Sequence, residues 1–163
     1  MHWLLCLSWA AFGASGARDV SLPDAPLAPI QEVLGAAGTL RWRHSIEKIW
    51  WEEEYTAEPG GVRLRTARVR GSGAGMEPPP DAHFAHGVWV YRPNRLLPKV
   101  VLTHSSFVAP YEWCDEGNRC RALLPPTSRF GAKQDPTTSV SAWRMEIAPC
   151  RDEQQKRVLG ADR

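Results

Sequence analysis

His44-Ser45-Ile46-Glu47-Lys48-Ile49-Trp50-Trp51-Glu52-Glu53-Glu54-Tyr55 holds the densest set of reactive side chains in this chain. An imidazole, a hydroxyl, an ammonium and several carboxylates lie within one short stretch, beside two tryptophans. Ser45 and Lys48 have the Ser-x-x-Lys spacing of acyl-transfer enzymes, in which a helical turn sets the lysine beside the serine hydroxyl. His44 next to Ser45, and His104 next to Ser105, raise the idea of a hydrolase. No Gly-x-Ser-x-Gly elbow accompanies them, and the partner motifs Ser-Asp-Asn and Lys-Thr-Gly are absent. His83 and His86 together with His44 or His104 are a possible zinc set, but their spacing suits neither a helical pair nor a zinc knuckle.

The elements around this block decide between those chemistries. From Leu40 to Glu47, Leu40, Trp42, His44 and Ile46 alternate with Arg41, Arg43, Ser45 and Glu47, the pattern of a half-buried strand. In a strand, residues three apart point to opposite faces, so Ser45 and Lys48 are expected to be separated. Further strands are expected at 50–57, 62–70, 87–91, 99–107, 111–114, 119–123 and 140–147, with Pro59-Gly60-Gly61 as a turn and a bulge near Thr66. Residues 30–37 read as a short helix or as more spacer. No longer helical stripe follows. The fold class is therefore all-β: a small single-domain β-sandwich or partly open barrel with a Gly/Pro-rich loop.

That loop is Gly71-Ser72-Gly73-Ala74-Gly75-Met76-Glu77 followed by three prolines. Alternate glycines permit positive φ, and successive amides can form an anion-binding nest. It is neither a phosphate-binding Walker loop nor a dinucleotide fingerprint. The plain alternative is a chain reversal ending in a polyproline stretch.

The 163 residues carry a net charge of +2, and the two signs are interspersed. That balance argues against nucleic acid as a partner. Residues 1–17 lack any Lys, Arg, Asp or Glu, and an apolar run from Trp3 to Phe12 precedes the small residues Gly13 to Ala17. The pattern reads as an export signal cut after Ala17, although a basic n-region is missing. Residues 18–38 then form a Pro/Ala-rich spacer, 39–150 the β-domain and 151–163 a polar tail. In an oxidising compartment Cys114 and Cys120, which flank a Gly-Asn turn signal, are expected to pair. Cys150 is then the odd thiol, either free or competing for one of those two.

The ordered set of His-Ser-x-Glu-Lys with the acidic run after it, Ala67-Arg68-Val69-Arg70-Gly71-Ser72-Gly73-Ala74-Gly75-Met76-Glu77, Gly87-Val88-Trp89-Val90-Tyr91-Arg92-Pro93 and the Cys114/Cys120 hairpin resembles the bacterial domain-of-unknown-function family 1850. The resemblance spans about Leu40 to Leu123. It implies a small exported protein, often encoded beside TAXI-type tripartite ATP-independent periplasmic (TRAP) transporters. It supplies no catalytic residues, cofactor or metal, and none is assigned. The expected function is a non-enzymatic periplasmic accessory that contacts the TAXI-type solute-binding protein or its membrane component, or binds a small anionic solute. The expected site comprises His44, Ser45, Glu47, Lys48, Trp51, Glu52, Glu53, Arg70, Ser72, Gly73, Gly75, Met76 and Glu77. Arg70 and Lys48 would supply positive charge, and Glu47 and Glu52 would fix those side chains. The alternative is a small hydrolase or metal-dependent enzyme using His44 with Ser45 or Glu47.

Overall fold

A computed structural model describes residues 2–11, 32–71, 78–105, 108–125 and 142–151. They form twelve strands in two sheets. The smaller sheet has the order β2-β1-β12-β9, built from Glu32–Gly35, Trp3–Ala11, Ala142–Arg151 and Val100–Ser105. The larger has the order β11-β10-β3-β4-β5-β7-β6, with β8 also paired to β5. Its strands are β3 (Ala37–Arg43), β4 (Trp50–Glu58), β5 (Gly61–Arg70), β6 (His83–Ala85), β7 (Val88–Tyr91), β8 (Arg95–Leu97), β10 (Glu112–Asp115) and β11 (Cys120–Ala122). All pairings are antiparallel. The two sheets pack face to face as a β-sandwich-like fold rather than a closed barrel, as the alternating pattern predicts.

Leu5, Leu7, Trp9, Met145 and Ile147 of the small sheet meet Leu40, Tyr55, Val62 and Trp113 of the large one. Each set has strand parity, so one face of each sheet makes the core. Trp113 is fully buried, and its indole N–H donates to the Leu34 carbonyl at 3.2 Å. Gly38 makes room for that ring.

Two segments before residue 39 take strand structure. Residues 3–11, within the segment read as a leader, form β1, an interior strand paired with β12 over its whole length and with β2 from Leu5 to Leu7. Cys6 on β1 is bonded to Cys150 on β12, so Cys150 is neither free nor a competitor for the Cys114–Cys120 pair. In the stretch read as spacer, β2 and the start of β3 take the place of the short helix considered there. The expected bulge is present: Glu54 faces Thr66 and Tyr55 faces Leu64, which leaves Arg65 as the extra residue.

Candidate functional site

The first strand of the central hairpin ends at Arg43, earlier than its alternation suggests. Residues 45–47 form the turn, with Ile46 82% exposed at its tip. His44 N–H donates to the Ile49 carbonyl at 2.9 Å, and Lys48 N–H donates to the His44 carbonyl at 3.0 Å. Lys48 closes the turn in the left-handed region, φ 58°. A side chain pays steric strain there, and non-glycine residues held in this way concentrate at functional sites.

The turn changes the expected geometry. Ser45 and Lys48 do not lie on opposite faces of a strand: both line one cleft of about 250 Å³, with Arg43, His44, Val108 and Ala109. Arg43 Nε and Nη2 donate to the Lys48 carbonyl at 3.1 and 2.9 Å, which fixes the guanidinium and leaves other N–H groups to donate. The His44 ring stacks on Trp51 at 5.8 Å, and its Nδ1 accepts from the Glu47 backbone N–H at 3.4 Å. That nitrogen is therefore engaged with the turn rather than with Ser45 Oγ.

The charges of the neighbouring strands sort by face. On the outer face, Glu52 meets Arg41 at 3.3 Å, Glu54 meets Arg68 at 2.6 Å, and Glu58 meets Arg63 at 2.7 Å and Arg65 at 2.9 Å. Arg41 also lies over Trp50, 4.7 Å from the ring centroid. Glu52 is thus a partner of Arg41 rather than a clamp on Lys48 or Arg70. Burial works to raise the Glu54 carboxyl, but hydrogen bonds from Thr66 and Arg68 and the charges of Arg68 and Arg92 outweigh it, so its pKa lies low. Among the described residues, Arg43 and Lys48 have no carboxylate partner.

Glu53 and Trp51 take the interior face with Tyr55. Tyr55 Oη donates to Glu53 Oε2 at 2.5 Å. Burial raises the Glu53 pKa, and the hydrogen bond from Tyr55 offsets only part of that. Burial and the nearby Glu53 charge in turn push the Tyr55, Tyr91 and Tyr111 hydroxyls up. Trp42 packs between Trp51 at 5.8 Å and Tyr111 at 6.1 Å, extending the aromatic row that begins at His44.

The expected site is therefore brought together only in part. His44, Ser45 and Lys48 share the cleft, while Trp51 backs His44 and lies beside Glu53 on the interior face. Glu47 contributes its backbone, and Arg70 is exposed at the end of β5. Gly71, at the start of the glycine loop, packs near Ile49, so the loop departs beside this hairpin. Ser72, Gly73, Gly75, Met76 and Glu77 lie outside the described residues. Sequence reasoning missed Arg43, Val108 and Ala109 in the cleft and the three tyrosines around Glu53. Only Tyr55 carried a local signal, its shared parity with Trp51 and Glu53.

The other histidines fall elsewhere. His104 is buried on β9 against Trp9, edge to face at 6.2 Å, and burial holds its pKa below the usual histidine value. His83 and His86 belong to the β6–β7 hairpin. No group of metal-ligating side chains is present among the described residues. Cys114 and Cys120 are joined as expected, across the β10–β11 pair.

No curated protein and no solved structure matches the chain. A family model, "Domain of unknown function (DUF1850)", matches residues 39–122, which run from β3 through β11 and include the hairpin, its cleft, Glu53 and the tyrosines. The chain belongs to the DUF1850 family.

Proposed function

We propose that this protein binds a small anionic solute in the cleft at the β3–β4 turn. One observation carries the reading. The outer-face arginines Arg41, Arg63, Arg65 and Arg68 are matched by glutamates, whereas the two cations lining the cleft have no carboxylate partner among the described residues. Arg43 is held by the Lys48 carbonyl, so it is oriented before a ligand arrives, and Ser45 and His44 add hydrogen-bonding groups beside it. The cleft is smaller than the range usual for drug-sized ligands, which favours a metabolite-sized carboxylate.

In this reading the protein is an exported, non-enzymatic accessory of a TAXI-type TRAP transporter, working beside the solute-binding protein or the membrane component. Two disulfides suit an oxidising compartment. Ile46, exposed at the tip beside the cleft, is the apolar contact such a partner would cover. Thermal unfolding with dicarboxylates and amino acids tests the solute reading, because a ligand of the folded state raises the transition temperature. A shift that disappears in Arg43→Ala and Lys48→Ala is expected. No shift with any of them removes direct binding. Copurification of the solute-binding protein, lost on Ile46→Asp, tests the partner reading separately.

A further inference from the structure

The two disulfides sit in unlike surroundings. Cys6 and Cys150 are both buried, and they join the two interior strands of the small sheet. Cys114 is buried as well, but its partner Cys120 is exposed on β11, a three-residue edge strand with no buried side chain. Arg41 lies against this second bond. Its Nη1 is 3.7 Å from Cys120 Sγ and 3.9 Å from Cys114 Sγ, within hydrogen-bonding range of sulfur. Glu52, 3.3 Å from Nε, holds the other edge of the guanidinium, and Trp50 lies against its face. The Glu112 carboxylate is 3.9 Å from the same Nη1. Elsewhere in the hairpin, Asp115 pairs with Arg119 at 2.7 Å, and Arg121 pairs with Glu32 of β2 at 2.5 Å. The surrounding ladder is made without the disulfide: β10 pairs with β3 from Glu112 to Asp115, and beyond β11 the Leu123 N–H donates to the Tyr111 carbonyl at 2.8 Å. The bond has a sequence separation of 6 against 144 for Cys6–Cys150, so it restrains the unfolded chain less.

We propose that Cys114–Cys120 is a thiol-exchange site, open to low-molecular-weight thiols while the protein stays folded. An attacking thiolate meets the Cys120 sulfur, because Cys114 is buried. A bond forms between the incoming sulfur and Cys120 Sγ. The Cys114–Cys120 bond breaks, and its electron pair leaves on Cys114 Sγ as a thiolate. Arg41 Nη1 donates to that thiolate, where a full negative charge replaces a neutral sulfur and competes with Glu112 for the same N–H. A thiolate stabilised in this way is the better leaving group. With a dithiol, the second thiolate of the reductant attacks its own sulfur in the mixed disulfide, and Cys120 leaves as a thiolate. The dithiol ends as a cyclic disulfide, and the protein has taken up two electrons. Cys6–Cys150 offers no exposed residue to attack and stays intact. The site is separate from the cationic cleft and does not rest on its assignment.

Reduced glutathione and dithiothreitol are the probes, added to the full chain without denaturant. Thiols are trapped with iodoacetamide at intervals and located by peptide mass mapping, while circular dichroism follows the fold. Cys114–Cys120 should open at least about tenfold faster than Cys6–Cys150, with the spectrum unchanged. The glutathione adduct should fall on Cys120. Arg41→Met should slow the opening by about threefold or more, and Glu112→Gln, which frees the Nη1 donor, should speed it. The second variant keeps the role of Arg41 testable where the first fails to fold. Equal rates for the two disulfides, opening only with loss of the spectrum, or an adduct on Cys114 overturns the site. A rate that neither substitution moves overturns the role given to Arg41.

Discussion

Cys6 and Cys150 are bonded to each other across β1 and β12, 144 residues apart in sequence. The bond ties the first strand of the described chain to the last. Two expectations follow. Replacing both cysteines with serine should lower stability by about 2–4 kcal/mol, because a long loop is released in the unfolded chain. A chain beginning at Arg18 lacks β1 and with it the buried side chains of Leu5, Leu7 and Trp9. It should fail to give a cooperative unfolding transition. Non-reducing peptide mapping of the protein from its native host should recover the peptides of Cys6 and Cys150 as one linked species. An N-terminus at Arg18 would contradict this.

Gly38 sits under the Trp113 indole, where an added Cβ would come within 2.6 Å of Cε2 and 2.7 Å of the Cys114 carbonyl. Neither obstacle can yield, since the ring is fully buried and the carbonyl belongs to the β3–β10 ladder. Gly38→Ala should cost about 1–3 kcal/mol. Urea unfolding with an unchanged m-value measures it. Gly60, which has open space around its Cβ position but a positive φ of 84°, is the comparison: Gly60→Ala strains the backbone without a clash.

Lys48 allows stability and binding to be separated. Its left-handed φ favours glycine, so Lys48→Gly should leave stability unchanged or raise it by up to about 1 kcal/mol. The same substitution removes a cation from the cleft and should abolish the anion-dependent rise in transition temperature. Lys48→Ala should lose the same rise while gaining no stability. Thermal unfolding of both variants, with and without a dicarboxylate, distinguishes these outcomes. A retained ligand shift in Lys48→Gly would place the anion elsewhere.

The parts of this structure that the sequence made legible are those with one wet face. In β5 the arginines alternate with apolar residues because the outer face is paired charge and the inner face is core, whereas in β4 Glu53 breaks that alternation by pointing inward. Strand β1 gives the opposite signal. Leu5, Leu7 and Trp9 are buried on the core face, and Cys6 is buried on the other. With Leu4, Ser8 and Ala10 half-buried beside Cys6, the strand carries no charge on either face and reads as a continuous apolar run, the same composition as a leader. The hairpin tip misled for another reason. His44 and Ile46 continue the alternation of β3 into the turn, yet Ile46 is left largely exposed, so its apolar parity reports no place in the core. The cleft combines residues 43–48 with Val108 and Ala109, about sixty positions away, a contact no local pattern contains.

Glu53 gives the final expectation, and its sign is opposite to that of Glu54. Its folded pKa is raised above the usual 4.5 because burial disfavours the carboxylate, and the Tyr55 hydrogen bond offsets only part of this. The folded state therefore holds the proton more tightly than the unfolded chain. Its contribution to stability is fully present below about pH 4.5 and is lost as pH rises from there through the raised folded value. Glu54 runs the other way: its folded pKa is lowered, so its contribution is present above about pH 4.5 and lost as pH falls through the folded value. Glu53→Gln keeps an acceptor for the Tyr55 hydroxyl and removes the buried charge. It should raise the transition temperature at neutral pH and change it little well below pH 4.5. Thermal unfolding of the two proteins across that interval measures the difference. A gap that widens toward acid would mean that the Glu53 carboxylate, rather than its protonated form, is the species the fold favours.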